Sequence, residues 1–338
     1  MILTPPASNC AATYACGPVH LDVTYGEPAW QPLLDGLLSQ YDAPWPVSGA
    51  RFSVTIEPGL PPADTVEPAG NYLRSYRLHV DRRGTHLISR SNVGVWMDFD
   101  EASRCARILV TPGADHETMI EEIEQQLVLL LARAWASEGW TPLHAGTLIL
   151  PEKNTGVLVC AHSGVGKTTF TTAMLCHGWR TLGDDKALLR KEDGRIVAHA
   201  LSRRFHLHPS LSKWFPQLGV IEDWPRYSRW TEKRMVKMGE LWPDQLLAAT
   251  VPQVVIQLAR GDRGTPLQID PLDSMATLNT LLRQIAIPGD AAAARPLVAC
   301  AAALAGQLRG ALVTVGENAF ADPAMVGRIE ARLRELLS

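Results

Sequence analysis

The chain has 338 residues, 46% hydrophobic and 20% charged, and its 32 basic and 35 acidic side chains leave a formal charge of −3. That length admits two domains, and that charge excludes a general attraction to nucleic acid or to an anionic membrane. Six cysteines without a Cys-x-x-Cys pair argue against a zinc site or a disulfide framework, no apolar run approaches the roughly 18 residues of a membrane span, and the start lacks the basic-then-apolar order of a signal peptide, so a cytoplasmic protein is expected.

Residues 1–115 read as a β-rich domain. Segments 19–23 and 51–56 alternate apolar and polar residues, the period of half-buried strands. Segments 76–80 and 85–88 flank a turn at 81–84, and 93–99 and 107–110 add two more strands. The proline-bearing stretch 58–68 reads as a surface loop. A helix follows, in which Ile120, Ile123, Leu127, Leu130 and Ala134 recur at helical spacing with Glu121, Glu122, Glu124 and Gln125 between them. It opens the second domain, expected over 116–338. There 143–150 and 156–161 read as strands joined by a connection at 151–155. Helix 168–177, a short strand into Asp184-Asp185, an apolar run at 187–189 and a strand at 254–258 come next. An Ala-rich helix at 291–308, a strand at 311–315 and a helix after Asp322-Pro323 complete the pattern. Strands alternating with helices predict an α/β core.

The stretch 156–169 carries the sharpest signal. A short apolar strand runs into a small-residue loop, and Lys167-Thr168-Thr169 opens a helix, the layout of a phosphate-binding loop. Gly164 and Gly166 free the backbone N–H groups between Ser163, Val165 and the helix start to form an anion nest. Lys167 is expected along the β- and γ-phosphates of ATP, with the Thr168 hydroxyl on Mg²⁺. The usual pattern begins with glycine, and here Ala161 takes that place.

Asp184 and Asp185 lie 17 and 18 residues beyond Lys167, one helix and one turn away. A strand returning antiparallel to that helix brings such a pair back to the phosphate end. One carboxylate can then ligate Mg²⁺ and the other accept a proton from a hydroxyl nucleophile. Gly183-Asp184-Asp185 is also good chemistry for a solvated turn. Strand 254–258 ends in Ala259-Arg260, so it lacks the metal-organising aspartate that many P-loop hydrolases place after four apolar residues.

These motifs together resemble the bacterial HPr kinase/phosphorylase family and the kinases related to it. That family carries G-x-S-G-x-G-K-[ST], a helix ending near a glycine, and then Asp-Asp; Gly178 fits the glycine and Lys167 to Asp184 fits the spacing. Leu143-His144-Ala145-Gly146 looks like the Leu-His-small-small pattern that precedes the family's loop. The resemblance covers about 140–190 strongly. It implies a P-loop kinase core of the HPr kinase / PEP carboxykinase-like type, preceded by a smaller β-rich domain that is similar to the leader of HPr-kinase-related proteins of peptide-modification pathways, lasso-peptide precursor kinases among them. It further implies ATP and Mg²⁺ as cofactors, Lys167 and Thr168 on phosphate and metal, Asp184 organising the metal, Asp185 as base, and His144 beside the phosphates or orienting an aspartate. A buried structural histidine is the other reading of His144. His162, where the family often has Asp, is expected to face solvent.

Between 203 and 237 stand Arg203, Arg204, Lys213, Arg226, Arg229, Lys233, Arg234 and Lys237 against Glu222, Asp223 and Glu232, with Trp214, Trp224 and Trp230 interleaved. One reading is an active-site wall in which Lys233 and Arg234 clamp the transferred phosphate and the aromatics bind a peptide; the other is a solvated basic loop with tryptophans in the core. Segment 231–236 looks like the basic strand that related kinases place opposite the phosphate loop. Segment 203–208 alternates like a strand, putting His206 and His208 on one face without a further metal ligand. The family's loops for HPr are not recognisable, so the expected acceptor is the hydroxyl of another peptide or protein. A small-metabolite kinase and a nucleotide-binding switch remain open beside it, as does assembly into a homo-oligomer.

Overall fold

A computed structural model describes residues 10–45, 49–62, 71–73, 78–112, 116–151, 155–227, 231–262, 265–286, 291–316, 319, 322 and 324–337. Residues 63–68 of the expected loop 58–68 and 152–154 of the expected connection 151–155, together with Arg229 and Trp230, lie outside them. The chain divides into two compact units, Met1–Trp140 with Pro288–Ala294, and Thr141–Ile287 with Arg295–Ser338.

In the first unit, β1 (Cys10–Cys16) and β2 (Val19–Tyr25) form a hairpin, and α1 (Gln31–Leu38) crosses over to β3 (Ala50–Pro58), which pairs parallel to β2. The remaining strands are β4 (Asn71–Leu73), β5 (Leu78–Arg83), β6 (His86–Arg90), β7 (Val95–Asp100) and β8 (Cys105–Val110), followed by α2 (His116–Ser137). They make one eight-stranded sheet in the order β1-β2-β3-β8-β7-β6-β5-β4. The alternation seen in the sequence is the reason: Val19, Leu21, Val23 and Tyr25 of β2 and Phe52, Val54 and Ile56 of β3 all point into one core. The apolar face of α2, Ile123, Leu127, Leu130 and Ala134, is buried and the helix packs on β7 and β8. The division therefore comes after α2, near Trp140, and not at 115. Sequence order had attached this helix to the strand that follows it, whereas its apolar stripe matches the sheet that precedes it.

The second unit contains β9 (Thr141–Leu143), β10 (Gly146–Leu150), β11 (Thr155–Ala161), α3 (Lys167–Cys176), β12 (Arg180–Gly183), β13 (Ala187–Glu192), β14 (Arg195–Ala200) and β15 (Arg204–Leu207). Then come β16 (Arg234–Lys237), α4 (Met238–Leu241), β17 (Ala249–Thr250), β18 (Pro252–Arg260), β19 (Gln268–Leu272), α5 (Ser274–Leu282), α6 (Ala291–Gln307), β20 (Arg309–Val315) and α7 (Ala324–Leu336). A six-stranded sheet runs β12-β10-β11-β18-β20-β19, with β11, β18 and β20 parallel. A four-stranded sheet, β17-β14-β13-β9, and the ribbon β15-β16 complete it. Every residue of β11 is buried, as a strand covered on both faces requires. Phe170, Ala173 and Met174 of α3 pack in one core with Val157 and Val159 of β11, Phe205, Leu207 and Val236 of the ribbon, and Ile329 and Leu333 of α7. The fold is thus mixed α/β. Among the described residues no helix is long and apolar enough to cross a membrane.

Candidate functional site

The site is built at the end of the buried strand β11. The chain leaves at Ala161, turns through residues 162–166 with Gly164 at φ 81° and Gly166 at φ 113°, and enters α3 at Lys167. Only glycine takes such angles without strain. His162, Ser163 and Gly164 are exposed, as expected of His162, while Val165, Thr168 and Thr169 are half-buried. Gly166 caps α3 without a side-chain hydrogen bond, which leaves the helix's first N–H groups open to an incoming acceptor.

Two further stretches converge there. Gly146 lets β10 pass close to α3 and to the turn after β12: a Cβ at that position would sit 2.9 Å from Thr171 Oγ1 and 3.0 Å from the Asp184 carbonyl oxygen. His144 just before it, and Asp184-Asp185 just after β12, are thereby brought to the start of α3. Lys167 Nζ lies 2.8 Å from Asp185 Oδ1, and His144 Nδ1 lies 3.4 Å from the same oxygen. Thr168 Oγ1 donates to Asp184 Oδ2 at 3.0 Å. The Lys167 side chain is only 9% exposed, and beyond its ion pair the ammonium has no hydrogen-bond partner among the described residues.

The two aspartates differ sharply in charge state. Burial, and then repulsion from Asp185, push the Asp184 carboxyl up to about 7, against the pull of Lys167 and the Thr168 hydrogen bond. At Asp185 burial opposes ionisation too, but Lys167 foremost, with His144 and Lys186, holds the carboxyl well below the usual carboxylate range. The His144 ring is 51% exposed, and desolvation, aided by Lys167, lowers its pKa in spite of Asp185. At neutral pH this is a neutral imidazole, one firmly ionised carboxylate and one poised between its two forms.

Lys233 is near enough to lower the Asp184 pKa. Arg234 is not its companion. Adjacent residues of a strand point to opposite faces, and Arg234 sits on the core side of the ribbon, where its Nη1 donates to the Trp224 carbonyl at 3.2 Å. Trp224 itself packs on the core. Sequence reasoning passed over Lys186, although it directly follows the aspartates, and left His206 without a role. The His206 ring stacks on Tyr227, with centroids 3.8 Å apart and planes at 29°. His208 accepts from the Ser210 amide through Nδ1 and caps the following turn. No group of three or more His, Cys, Asp or Glu side chains able to hold a metal occurs among the described residues. The hard oxygens of Thr168 and Asp184 instead offer the two-donor set that suits Mg²⁺, an ion that keeps waters and phosphate oxygens as its other ligands.

No family model matches the chain, and no curated protein matches it. Among solved structures, the HPr(Ser) kinase/phosphatase from Coxiella burnetii is similar at 11% identity with a TM-score of 0.31, over 57% of this chain and 94% of that one.

Proposed function

We propose that the second unit is an ATP- and Mg²⁺-dependent phosphotransferase that moves the γ-phosphoryl group to a hydroxyl of a peptide or protein. The observation that carries this reading is the meeting of a glycine loop, a buried lysine and two unequal carboxylates at one helix N-terminus. Phosphoryl transfer needs positioning and charge neutralisation more than covalent chemistry, and each of these groups supplies one of the two.

Lys167, paired with Asp185, is the cation for the β- and γ-phosphates, alongside the open N–H groups of α3. Thr168 and Asp184 would hold the Mg²⁺, which when bound would supply charge neutralisation to the phosphates. Asp184, with its carboxyl raised to about 7, would serve it as the ionised carboxylate. Asp185 faces the acceptor. Once Lys167 turns to phosphate, its carboxylate loses its principal counter-charge and its affinity for the hydroxyl proton rises. His144 contacts Asp185 and orients it; Lys233 adds positive charge where the transferred group gathers negative charge.

Calorimetric titration of Mg-ATP into the wild type and Lys167→Ala tests the nucleotide part. The expected result is saturable binding that weakens by about 100-fold or more in the variant, since removing a partner from a buried charged contact costs several kcal/mol. Equal affinities would overturn it.

A further inference from the structure

Strand β1 closes one side of the first unit's sheet. Among the described residues it pairs with β2 alone, in an unbroken register from Cys10↔Tyr25 to Cys16↔Val19. Both main-chain groups of a strand residue point to the same side, so β2 decides which groups of β1 are left open. Just beyond β2 the Gly26 amide donates to the Ile56 carbonyl of β3 at 3.1 Å. Just before β2 the Pro18 carbonyl lies so near the start of β3 that a Cβ on Gly49 would meet it at 2.0 Å. Even-numbered residues of β2 therefore face β3, and Val19, Leu21, Val23 and Tyr25 face β1. Their partners Cys16, Tyr14, Ala12 and Cys10 are engaged in that pairing. The N–H and C=O groups of Ala11, Thr13 and Ala15, three exposed residues, point out from the edge.

Proteins commonly guard such an edge with a lysine, a proline, an inward charge or a bulge. β1 reads Cys-Ala-Ala-Thr-Tyr-Ala-Cys, with neither charge nor proline, and its register has no shift. The same seven residues read nearly alike in both directions about Thr13. Laid antiparallel on a second copy of itself with the axis at Thr13, the strand sets Thr13 opposite Thr13, Ala11 opposite Ala15, Ala12 opposite Tyr14 and Cys10 opposite Cys16. All the open groups then meet open groups of the other copy, in about six main-chain hydrogen bonds. Each tyrosine falls opposite an alanine, so a large side chain meets a small one. Thr13 turns its hydroxyl back to Asp22 Oδ1 at 2.7 Å, and Asp22, the one carboxylate of β2, is itself paired with Arg51. No unbalanced like charges from these strands face each other across the axis.

We propose that β1 is a self-association edge, through which two copies of this chain pair antiparallel about a two-fold axis at Thr13 and join the sheets of their first units into one. The surface belongs to the first unit and stands whether or not the second unit transfers phosphate. An unrelated extended peptide would also use the open groups, but it would not require β1 to read alike in both directions.

The test uses the full chain, with sedimentation velocity over a concentration series. The wild type is expected to pass reversibly from monomer to dimer, and no further, below about 10⁻⁴ M, the range of small transient interfaces. Hydrogen exchange of segment 10–16 should slow as the dimer forms. Thr13→Lys places like charges opposite each other at an exposed edge position that tolerates lysine, and should weaken association about tenfold or more; circular dichroism confirms folding. Thr13→Cys reads the register and carries the test if the lysine variant unfolds. Mild oxidation should link its two copies through residue 13 well above the wild-type background, because directly opposed strand residues lie within disulfide reach. Thr24→Cys, one strand further from the axis, should not link. A wild type that stays monomeric throughout that range, a dimer that a folded Thr13→Lys leaves intact, or equal cross-linking of the two cysteine variants would each overturn the proposal. So would exchange in segment 10–16 that is independent of concentration, which would leave the edge to a different chain.

Discussion

Adjacent in sequence, Asp184 and Asp185 stand in opposite electrostatic conditions, and the difference makes a testable link between stability and function. Asp184 is 3% exposed and its carboxyl is raised from 3.8 to about 7. A group whose folded pKa lies above its unfolded value favours the fold at low pH, and that contribution is lost as pH rises through the folded pKa. The ionised Asp184 is therefore a burden on the fold above about pH 7. Asn at this position keeps an oxygen to accept from Thr168 and cannot ionise. We expect Asp184→Asn to melt several degrees above the wild type near pH 8, with the gain shrinking toward pH 5, while phosphotransfer is lost. Scanning calorimetry at the two pH values checks this, and a variant that melts lower near pH 8 would make Asp184 a fold-supporting residue. The spacing of the aspartates from Lys167 was legible in the sequence. Their division of charge was not, because it depends on which carboxylate Lys167 reaches, and that is fixed only in three dimensions, where the lysine pairs with Asp185.

At the scale of the element, the ribbon β15–β16 separates two residues that the sequence had grouped together. Lys233 acts on Asp184, whereas Arg234 ties the strand to the Trp224 carbonyl. Lys233→Ala should therefore lower turnover with an unchanged melting temperature. Arg234→Ala should chiefly lower the melting temperature, because it removes a hydrogen bond from a charged donor, worth about 1.5–3 kcal/mol. Parallel measurement of turnover and thermal melts distinguishes the two, and equal losses of turnover at unchanged stability would restore them as a joint clamp. The alternation over 203–208 was visible in the chain, including the shared face of His206 and His208. The register with β16 was not, and only the register discloses that Tyr227 covers His206. The basic character of 203–237 was likewise legible in bulk, yet charge counts do not say which cations face the aspartates.

Across the whole molecule, the sequence identified a β-rich first part and an α/β second part, and what escaped it is topological. The parallel pairing of β2 with β3 through α1 has no local signature in alternating segments, and the allegiance of α2 depends on which sheet its apolar stripe meets. In the second unit the sheet order β12-β10-β11-β18-β20-β19 explains why residues as distant as His144, Lys167 and Asp185 meet: β10 and β12 pair antiparallel beside β11, so the turns that carry the histidine and the aspartates open at the end where α3 begins. The most direct measurement of the central claim is the rate of phosphate transfer from Mg-ATP to serine or threonine peptides by the wild type and by Asp185→Asn, followed by mass spectrometry. We expect phosphopeptide from the wild type and a loss of about 10²–10⁴ in rate with the variant, the worth of a positioned base. Equal rates in the two proteins, or ATP hydrolysis by the wild type with no phosphate on any peptide, would contradict it.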